Sequence, residues 1–423
     1  MLFCRNGGSD SLTLEGRVVA PAQGIDECLR ITVTDGVISA LESAIANPLV
    51  IAPAFVDPHV HLRTPGREDE ETLRSGTEAA AAGGYCAILA MPNTEPVVDS
   101  ASVLGSLVAR SRSEAVVPTG FMAAISKRQE GEELSELAEL AAAGAAAFTD
   151  DGRPVVSAGL MRRALQYSAL AGRPLALHCE EPTLSRGGHA HEGEVSAELG
   201  LGPYPSTAES LMVERDLALA AAEDRPLHLM HLSARESVAA LRRARADGVA
   251  ATAETTPHHL CLTDEAVRSL DPNLKMNPPL RGHEDRRALR DALRDGTIGA
   301  VATDHAPHAR HEKDVPFEEA PFGVIGLETA FASLYTQLVI PGELPLETLL
   351  ERMSTGPARA LGLPEPRIEV GARANLVVLD LEARWQVAEA GFRSLSANSW
   401  LLGQMLRGRV LRTVADGREV FSA

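Results

Sequence analysis

No tract of basic residues occurs in this sequence. Its 423 residues include 58 Asp and Glu against 40 Lys and Arg, which gives a formal net charge of −18 and an isoelectric point near 5.2. Proteins that bind nucleic acid through its phosphates usually carry clustered Lys and Arg. The charge therefore argues against a nucleic-acid partner, and the acidity is more typical of a protein kept in solution by its charge.

A membrane segment and a disulfide framework are also missing. The N-terminus, MLFCRNGGSD, turns polar by its fifth residue, which is not the pattern of a signal peptide. The longest Ala-rich run, LAELAAAGAAAF (137–148), is too short and too interrupted to cross a bilayer. Five cysteines are scattered without a CxxC pair, as in proteins from reducing compartments. We expect a soluble cytoplasmic protein with no membrane partner.

What the sequence does contain is a series of eight short apolar runs, separated by segments with helical spacing such as 70–84 and 236–248. Strands alternating with helices over roughly 250 residues are typical of a (β/α)8 barrel, whose strands are buried on both faces and therefore read as continuous apolar runs. The runs are VIAPAFVD (50–57), YCAILAMP (85–92), AVVPTGFMA (115–123), GAAAFTDD (144–151), RPLALHCE (173–180), RPLHLMHLS (225–233), GVAATAETT (248–256) and TIGAVATDH (297–305).

The two ends of the chain have a different pattern. Residues 12–48 and 367–423 read as alternating strands joined by turn signals such as TDG and ADG. We therefore predict an α/β fold: a (β/α)8 TIM barrel over residues 51–364, with a small β-sandwich domain built from both termini, residues 1–50 and 365–423.

Residue types that bind metals recur at the ends of the predicted barrel strands. The carboxyl ends of barrel strands meet at one rim, where active sites form. One histidine at a strand end is weak evidence, but His59 and His61 project to the same side of one strand. The convergence of several such residues on one rim indicates a shared site. The residues are His59, His61, Asp150, Asp151, His178, His231 and Asp304.

This set of side chains suits two zinc ions. Imidazole nitrogens and carboxylate oxygens are good zinc ligands, and two metals about 3.5–4 Å apart need a group that bridges them. A carboxylate can bridge with one oxygen on each ion. Asp150 and Asp151 point to opposite faces of strand four, so the residues alone leave open which of the two is the bridge.

These residues resemble the amidohydrolase superfamily, which has HxH after strand one, one His after each of strands five and six, and Asp after strand eight. Over essentially the whole chain, the closer resemblance is to dihydroorotases of the bacterial class I type. The motifs that carry it are DPHVHLR (57–63), MPNT (91–94), FTDDG (148–152), LHCE (177–180), MNPPLR (276–281), TDHAPH (303–308) and PFGVIGLET (321–329).

The resemblance implies a role for each matching residue. His59, His61 and Asp304 would bind one zinc ion, His178 and His231 would bind the other, and Asp151 would bridge them. Asp304 would also be the catalytic proton shuttle. The residues implied to contact the substrate are His61, Arg63, Asn93, Asn277, His308 and the backbone of Phe322 and Gly323.

The implied reaction is the reversible cyclisation of N-carbamoyl-L-aspartate to (S)-dihydroorotate and water in de novo pyrimidine (UMP) biosynthesis. In the hydrolytic direction, two zinc ions would activate a bridging water as hydroxide, and Asp304 would pass its proton to the leaving nitrogen. The guanidinium of Arg63 suits the acidic substrate. Residues 305–323 are polar and interrupted by proline, and we expect them to form a mobile loop over the site.

Two other interpretations of the function stay open. One is another cyclic amidohydrolase, such as a hydantoinase or allantoinase; the resemblance implies that these use a carboxylated lysine on strand four, where this chain has none. The other is an inactive dihydroorotase-like structural partner of aspartate transcarbamoylase, although such chains typically lose metal ligands and this one has all six. We expect a small-molecule substrate and a homo-oligomer, with an association with aspartate transcarbamoylase left open.

Overall fold

The structure, a computed structural model, describes residues 1–5 and 7–423 and combines a barrel with a large sheet built from both ends of the chain. Its strands are β1 (Leu12–Ala20), β2 (Ile25–Thr34), β3 (Val37–Ser43), β4 (Val50–Pro53), β5 (Phe55–Val60), β6 (Tyr85–Ala90), β7 (Thr119–Phe121), β8 (Leu175–Leu177), β9 (Ala190–His191), β10 (Pro203–Tyr204), β11 (Leu227–Leu229), β12 (Ala251–Thr255), β13 (Ala300–Val301), β14 (Leu376–Gln386), β15 (Met405–Ala415) and β16 (Arg418–Ser422).

Helices follow most of the barrel strands and cover the barrel from outside. They are α1 (Leu73–Ala82), α2 (Ala101–Glu114), α3 (Leu137–Ala143), α4 (Ala158–Ala171), α5 (Pro182–Ser185), α6 (Glu194–Leu199), α7 (Thr207–Glu223), α8 (Arg235–Ala246), α9 (Pro257–Cys261), α10 (His283–Asp295), α11 (Arg310–Lys313), α12 (Ala330–Leu334), α13 (Leu346–Met353) and α14 (Thr355–Ala360). None of the helices in the described part of the chain is long and apolar enough to cross a membrane.

The predicted parallel barrel is confirmed. The strands β5, β6 and β7 pair in that order, and so do β8, β11, β12 and β13. Phe148 occupies the fourth strand position, where it bridges Ala123 on one side and Leu175 on the other. A parallel bridge between Val60 and His305 closes the barrel.

The strands from both termini pair in one seven-stranded sheet, in the order β16-β15-β14-β4-β1-β2-β3. This terminal sheet has an apolar core of its own, to which Val18, Ile31, Ile51, Leu376 and Val414 contribute. The two ends of the chain therefore fold together, as the sequence predicts. The division at residues 50 and 364 stays a prediction.

The prediction of VIAPAFVD as a single strand is wrong. The structure has two strands there: β4 pairs with β1 and β14 in the terminal sheet, and β5 pairs with β6 in the barrel. Every residue of β4 and β5 is buried. Hydrophobicity therefore gives no signal at the point where the chain passes from one sheet to the other.

A buried carboxylate fastens the first barrel strand to the last. Asp57 is fully buried and accepts hydrogen bonds from the backbone N–H of Thr303 at 3.2 Å and from its hydroxyl at 2.5 Å. It also accepts one from the backbone N–H of His59 at 3.1 Å. Burial raises the pKa of Asp57 to about 7, although these hydrogen bonds oppose the shift. Asp57 thus holds together the two strand ends that carry His59 and Asp304.

We expect Asp57→Ala to lower the free energy of unfolding by about 3 kcal/mol, because three donors to one buried carboxylate lose their acceptor. Chemical denaturation followed by circular dichroism measures the change. Thr303→Ser keeps the hydroxyl and serves as the control, with an expected loss of about 1 kcal/mol for the buried methyl group. An unfolding midpoint for Asp57→Ala equal to that of the wild type would show that the carboxylate does not fasten the barrel.

Candidate metal centre and substrate cavity

The six predicted metal ligands meet at the carboxyl rim of the barrel. Each is buried, with at most 7% of the residue exposed. Because the strands are parallel, side chains that follow them arrive at the same end of the barrel. The positions are His59 on β5, His61 after β5, Asp151 after the bridge at Phe148, His178 after β8, His231 after β11, and Asp304 after β13.

Asp151 lies between two pairs of histidines. Its Oδ2 atom is 3.7 Å from Nε2 of His59 and 3.5 Å from Nε2 of His61. Its Oδ1 atom is 3.5 Å from Nδ1 of His178 and 3.6 Å from Nε2 of His231. One oxygen of Asp151 is thus directed to each pair of histidines, which is the arrangement expected of a carboxylate that binds two cations.

The other two rim aspartates differ in their surroundings. Asp304 joins the first pair of histidines, with Oδ1 at 3.1 Å from Nε2 of His61 and 3.3 Å from Nε2 of His59. Asp150 instead accepts hydrogen bonds from the backbone N–H groups of Ile125 at 2.8 Å and Ser126 at 3.1 Å. Asp150 therefore supports the neighbouring loop, and Asp151 is the aspartate that faces the histidines.

The donor atoms fit a pair of divalent cations. The ligand atoms of His59, His61 and Asp151 lie within 4.8 Å of one another, and so do those of Asp151, His178 and His231. The Nε2 atom of His59 is buried and has no hydrogen-bond partner. A buried polar atom without a partner is costly, and a bound cation would satisfy its lone pair.

The charges at the rim favour a cation beside His59. Burial opposes protonation of His59, but the carboxylates of Asp151 and Asp304 outweigh burial and raise its pKa well above the ordinary value. Carboxylates that stabilise a proton on an imidazole also stabilise a metal ion in its place, since both are positive charges on the same nitrogen.

Hydrogen-bond partners on the far side of the imidazole rings fix which nitrogen His59, His61 and His178 direct to the metal centre. The Nδ1 atom of His61 is 3.0 Å from Oδ1 of Asn93, whose amide nitrogen also donates to Oδ2 of Asp151 at 3.3 Å. The Nε2 atom of His178 is 2.8 Å from a carboxylate oxygen of Glu180. Such partners hold the ring orientation and the tautomer that metal binding requires.

Glu254 has this function for His59, although none of the sequence motifs of the site includes it. It is fully buried, with Oε1 at 3.1 Å from Nδ1 of His59 and Oε2 at 2.9 Å from Nε2 of His228. Burial alone would raise the pKa of Glu254, but its bonds to His228 and His59 lower it to about 2. The one available signal was a charged residue inside the apolar run GVAATAETT.

Three residues of the rim hold the backbone in the left-handed region. The φ angles are +54° at Arg63, +31° at His231 and +48° at Asp304. A non-glycine residue in such a conformation costs about 1–3 kcal/mol and persists only where its surroundings impose it, which is most common at functional sites. The strain therefore supports this rim as the functional site of the molecule.

A cavity of about 180 Å³ opens at the metal centre. It brings together every residue that the sequence motifs place at the substrate, and His59 lies beneath it. The predicted site residues that line the cavity are His61, Arg63, Asn93, Asp151, His178, His231, Asn277, Asp304, His308, Phe322 and Gly323.

The cavity offers both positive charge and unpaired hydrogen-bonding atoms. Arg63 pairs with Glu70 at 2.8 Å, and 15% of its side chain remains exposed. The Oδ1 atom of Asn277 is buried without a partner, while its amide nitrogen donates to Glu180 at 3.0 Å. Burial and the charge of Arg63 lower the pKa of His308 to about 3, so this imidazole is neutral. The cavity thus suits a small anion that carries N–H groups.

The loop formed by residues 305–323 lies over this cavity and is fastened to its neighbours. The ammonium group of Lys313 donates to the carbonyl oxygens of Pro272 at 3.0 Å and Pro321 at 2.7 Å. The ammonium group of Lys275 donates to the carbonyl oxygen of Glu318 at 2.8 Å. The structure therefore has this loop docked against the rim, and its predicted mobility stays a prediction.

The sequence matches known proteins over nearly its whole length. A family model described as Dihydro-orotase-like matches residues 49–237. A protein named Dihydroorotase from Syntrophus aciditrophicus (strain SB) is 43% identical over 417 residues, which cover 96% of this chain and 98% of that protein. A protein of the same name from Anaeromyxobacter sp. (strain K) is 44% identical over 425 residues, covering 97% of this chain and 98% of that one.

Solved structures with the same fold are similar at lower identity. The L-Hydantoinase (Dihydropyrimidinase) from Arthrobacter aurescens superposes with a TM-score of 0.86 at 25% identity, over 96% of this chain and 95% of that chain. The dihydropyrimidinase from Brevibacillus agri NCHU1002 has a TM-score of 0.82 at 21% identity, over 97% and 95% of the two chains. These structures confirm the predicted TIM barrel with a β-sandwich domain.

We expect Glu254→Gln to weaken metal binding beside His59 about 10- to 100-fold, because the carboxylate that orients this imidazole is lost. Calorimetric titration of the metal-free protein with zinc measures the two affinities separately. Glu328→Gln is the control: Glu328 is a partly buried glutamate, which accepts backbone hydrogen bonds from Arg393 and Ser394 away from the centre. If Glu254→Gln bound zinc at both sites with the affinities of the wild type, Glu254 would not be needed to orient His59.

Proposed function

The chain belongs to the dihydroorotase family, and from this premise we propose that it catalyses the reversible cyclisation of N-carbamoyl-L-aspartate to (S)-dihydroorotate and water. The observation that carries the proposal is the position of Asp151, whose two oxygens face two pairs of buried histidines at the floor of a cavity that contains Arg63. A site for two cations next to a group that binds carboxylates suits the hydrolysis of a cyclic amide with an acidic substituent.

We propose that the metal centre holds two zinc ions. His59, His61 and Asp304 would hold one ion, His178 and His231 the other, and Asp151 would be shared between them. Bound there, the ions would lower the pKa of a coordinated water and polarise the amide carbonyl of the ring. Nitrogen and carboxylate donors are a ligand set that zinc accepts readily.

Asp304 is the proposed proton carrier. Burial opposes ionisation of Asp304, but the neighbouring His59 and His61 lower its pKa, so the side chain is present as the carboxylate. In ring opening it takes one proton from the attacking water and delivers it to the ring nitrogen as the amide bond breaks, while the other proton of the water is released to solution. Ring closure runs in reverse: the carbamoyl nitrogen attacks the side-chain carboxylate and gives its proton to Asp304. Asp304 then passes this proton to the departing oxygen, which leaves as water after taking up one further proton from solution.

The cavity residues orient the substrate for this step. Arg63 would hold the carboxylate that does not react, through the planar fork of its guanidinium group. Asn277 has an unpartnered oxygen that can accept a hydrogen bond from an N–H of the ureido group. Asn93, His308 and the backbone at Phe322–Gly323 complete the proposed substrate contacts. Fixing both ends of the flexible acid brings its nitrogen and carboxylate together, which lowers the entropic part of the barrier.

A hydantoinase-like activity is the second candidate, because the solved structures that superpose well are named hydantoinases and dihydropyrimidinases. The sequence resemblance implies that hydantoinases place a carboxylated lysine between the metals, whereas Asp151 lies between the histidine pairs here. The lysines of this chain are bound elsewhere: Lys127 pairs with Glu133 on the surface, and Lys275 and Lys313 donate to backbone carbonyl oxygens. The presence of all six ligands in one cluster also favours an enzyme over an inactive structural partner of aspartate transcarbamoylase.

The cellular setting follows from the proposed reaction. We propose that the protein acts in de novo pyrimidine biosynthesis in the cytoplasm, where free thiols such as its five cysteines stay reduced. Assembly into a homo-oligomer stays a prediction from the sequence. An association with aspartate transcarbamoylase stays open. Neither a homo-oligomer nor this association would replace the proposed activity.

Metal content and turnover measured on one sample test the proposed function. We expect about two metal ions per chain by elemental analysis, and dihydroorotate hydrolysis that is lost on chelation and restored by zinc. Two metals without turnover of dihydroorotate, but with turnover of a hydantoin, would favour the second candidate. No bound metal and no recovery with zinc would favour the inactive structural partner.

We expect Asp304→Asn to retain metal and to lower kcat about 10²- to 10⁴-fold, because an amide cannot carry the proton between water and nitrogen. Steady-state kinetics with elemental analysis of the same preparation measures both effects. Asp314→Asn removes one negative charge from the exposed surface of the loop and should leave kcat unchanged. A kcat for Asp304→Asn close to that of the wild type would exclude Asp304 as the proton carrier.

A further inference from the structure

A short segment near the C-terminus leaves the terminal sheet and packs against the barrel rim. In this rim segment, residues 393–398, the backbone N–H groups of Arg393 and Ser394 donate to the partly buried carboxylate of Glu328 at 2.9 Å and 3.1 Å. The next backbone N–H, of Leu395, donates to the buried carboxylate of Glu71 at 3.1 Å. Two acidic side chains of the barrel thus fix the path of the rim segment.

Two polar side chains of the rim segment contact residues at or next to the substrate cavity. The hydroxyl of Ser396 donates to the backbone carbonyl of Glu70 at 2.7 Å, and Glu70 is the residue that pairs with Arg63. Asn398 lies at the end of the segment and is 6% exposed. None of the sequence motifs that predict the site includes either Ser396 or Asn398.

Asn398 joins the two arms of the active-site loop, residues 305–323. Its Oδ1 atom accepts a hydrogen bond from the backbone N–H of His308 at 3.1 Å, on the first arm. Its amide nitrogen donates to the carbonyl oxygen of Ala306 at 3.0 Å, on the same arm, and to that of Gly323 at 3.3 Å, on the second arm. Ala306, His308 and Gly323 all line the substrate cavity.

The chemistry of these contacts requires an amide side chain. One planar group has to accept from an N–H and donate to two carbonyl oxygens, and asparagine provides both functions on a short side chain. An aspartate in the same place would put a carboxylate oxygen next to two carbonyl oxygens. An alanine would leave all three buried backbone groups without their partner.

The arms leave little room for another arrangement. Gly323 has a φ of +117°, and a Cβ atom there would lie 2.6 Å from the Cβ atom of Ala306. The ring of His308 is fixed as well, since its Nε2–H donates to the carbonyl oxygen of Phe322 at 2.8 Å. A small separation of the arms would therefore move His308 and the backbone of Phe322–Gly323 together.

We propose that Asn398 is a positioning residue for substrate binding, which clasps the two arms of the active-site loop so that His308 and the backbone of Gly323 face the cavity. The proposal rests on the proposed function, because these groups are the proposed substrate contacts. It extends the site to a residue of the C-terminal region that touches neither metal ligands nor substrate.

The test compares two alanine variants in the metal-loaded protein. For Asn398→Ala we expect the KM for dihydroorotate to rise about tenfold, as for the loss of one to two net hydrogen bonds, with kcat within about threefold and metal content unchanged. The matched control is Asn375→Ala, since Asn375 also accepts a backbone hydrogen bond, from Asp416 at 2.7 Å in the terminal sheet. Its KM should equal that of the wild type.

Amide hydrogen exchange of the same proteins without substrate tests the clasp itself. Exchange at residues 306–325 should be faster in Asn398→Ala than in the wild type and unchanged in Asn375→Ala. Should Asn398→Ala not fold, Asn398→Asp carries the same test, because it keeps the acceptor for His308 and loses the donor to Ala306 and Gly323.

The outcomes separate this inference from the proposed function. An active wild type with an unchanged KM in the Asn398 variant, or with a fall in kcat alone, overturns the inference and leaves the function intact. A wild type without dihydroorotate turnover overturns the function and, with it, the role of Asn398 in substrate binding. Equal exchange at residues 306–325 in wild type and variant shows that there is no clasp.

Discussion

The structure depends on one buried carboxylate, that of Asp151, and on the charges arranged around it. An isolated carboxylate removed from water would be protonated or would destabilise the fold. Here burial is outweighed by His59, His178 and His231, which lower the pKa of Asp151 well below its ordinary value. His59 and His178 are held in turn by Glu254 and Glu180 on their far sides. The centre is therefore a set of alternating charges in which removing one group leaves its neighbours unpaired.

The barrel makes this arrangement possible, because its parallel strands bring residues that are distant in sequence to one rim. The strands also explain the strained backbone at His231 and Asp304, since the chain must turn sharply as soon as it leaves the sheet. A rim of this kind can serve several cyclic amides. A structure named L-Hydantoinase shares the backbone path of this chain at a TM-score of 0.86, so the fold alone does not decide the substrate, and the residues at the rim have to be considered.

The sequence predicted the barrel, the terminal sheet and the approximate set of rim residues, because these have local signatures. The HxH pair on β5 and the polar residues after each apolar run can be read directly from their spacing. It did not predict the roles of Asp57, Glu254 and Asn398, each of which has at least one partner that lies between 75 and 246 residues away in the chain. The local sequence does not show which distant partner such a residue has, even where a charged residue inside an apolar run draws attention to it, as at Glu254. The boundary between β4 and β5 was missed for a different reason, since both strands are equally apolar.

The sheet formed by both termini has a consequence for the order of events during synthesis. The strand that leads into the barrel, β4, pairs with β14, in which Leu376 lies opposite Pro53. The loop that covers the cavity is likewise held by the rim segment at 393–398. A ribosome that has made the whole barrel has therefore not yet made β14, which is one of the two partners of β4, or the rim segment that holds the active-site loop. The contacts that hold the active-site loop and β4 can form only after residues 376–398 have emerged, so that a shorter nascent chain lacks them.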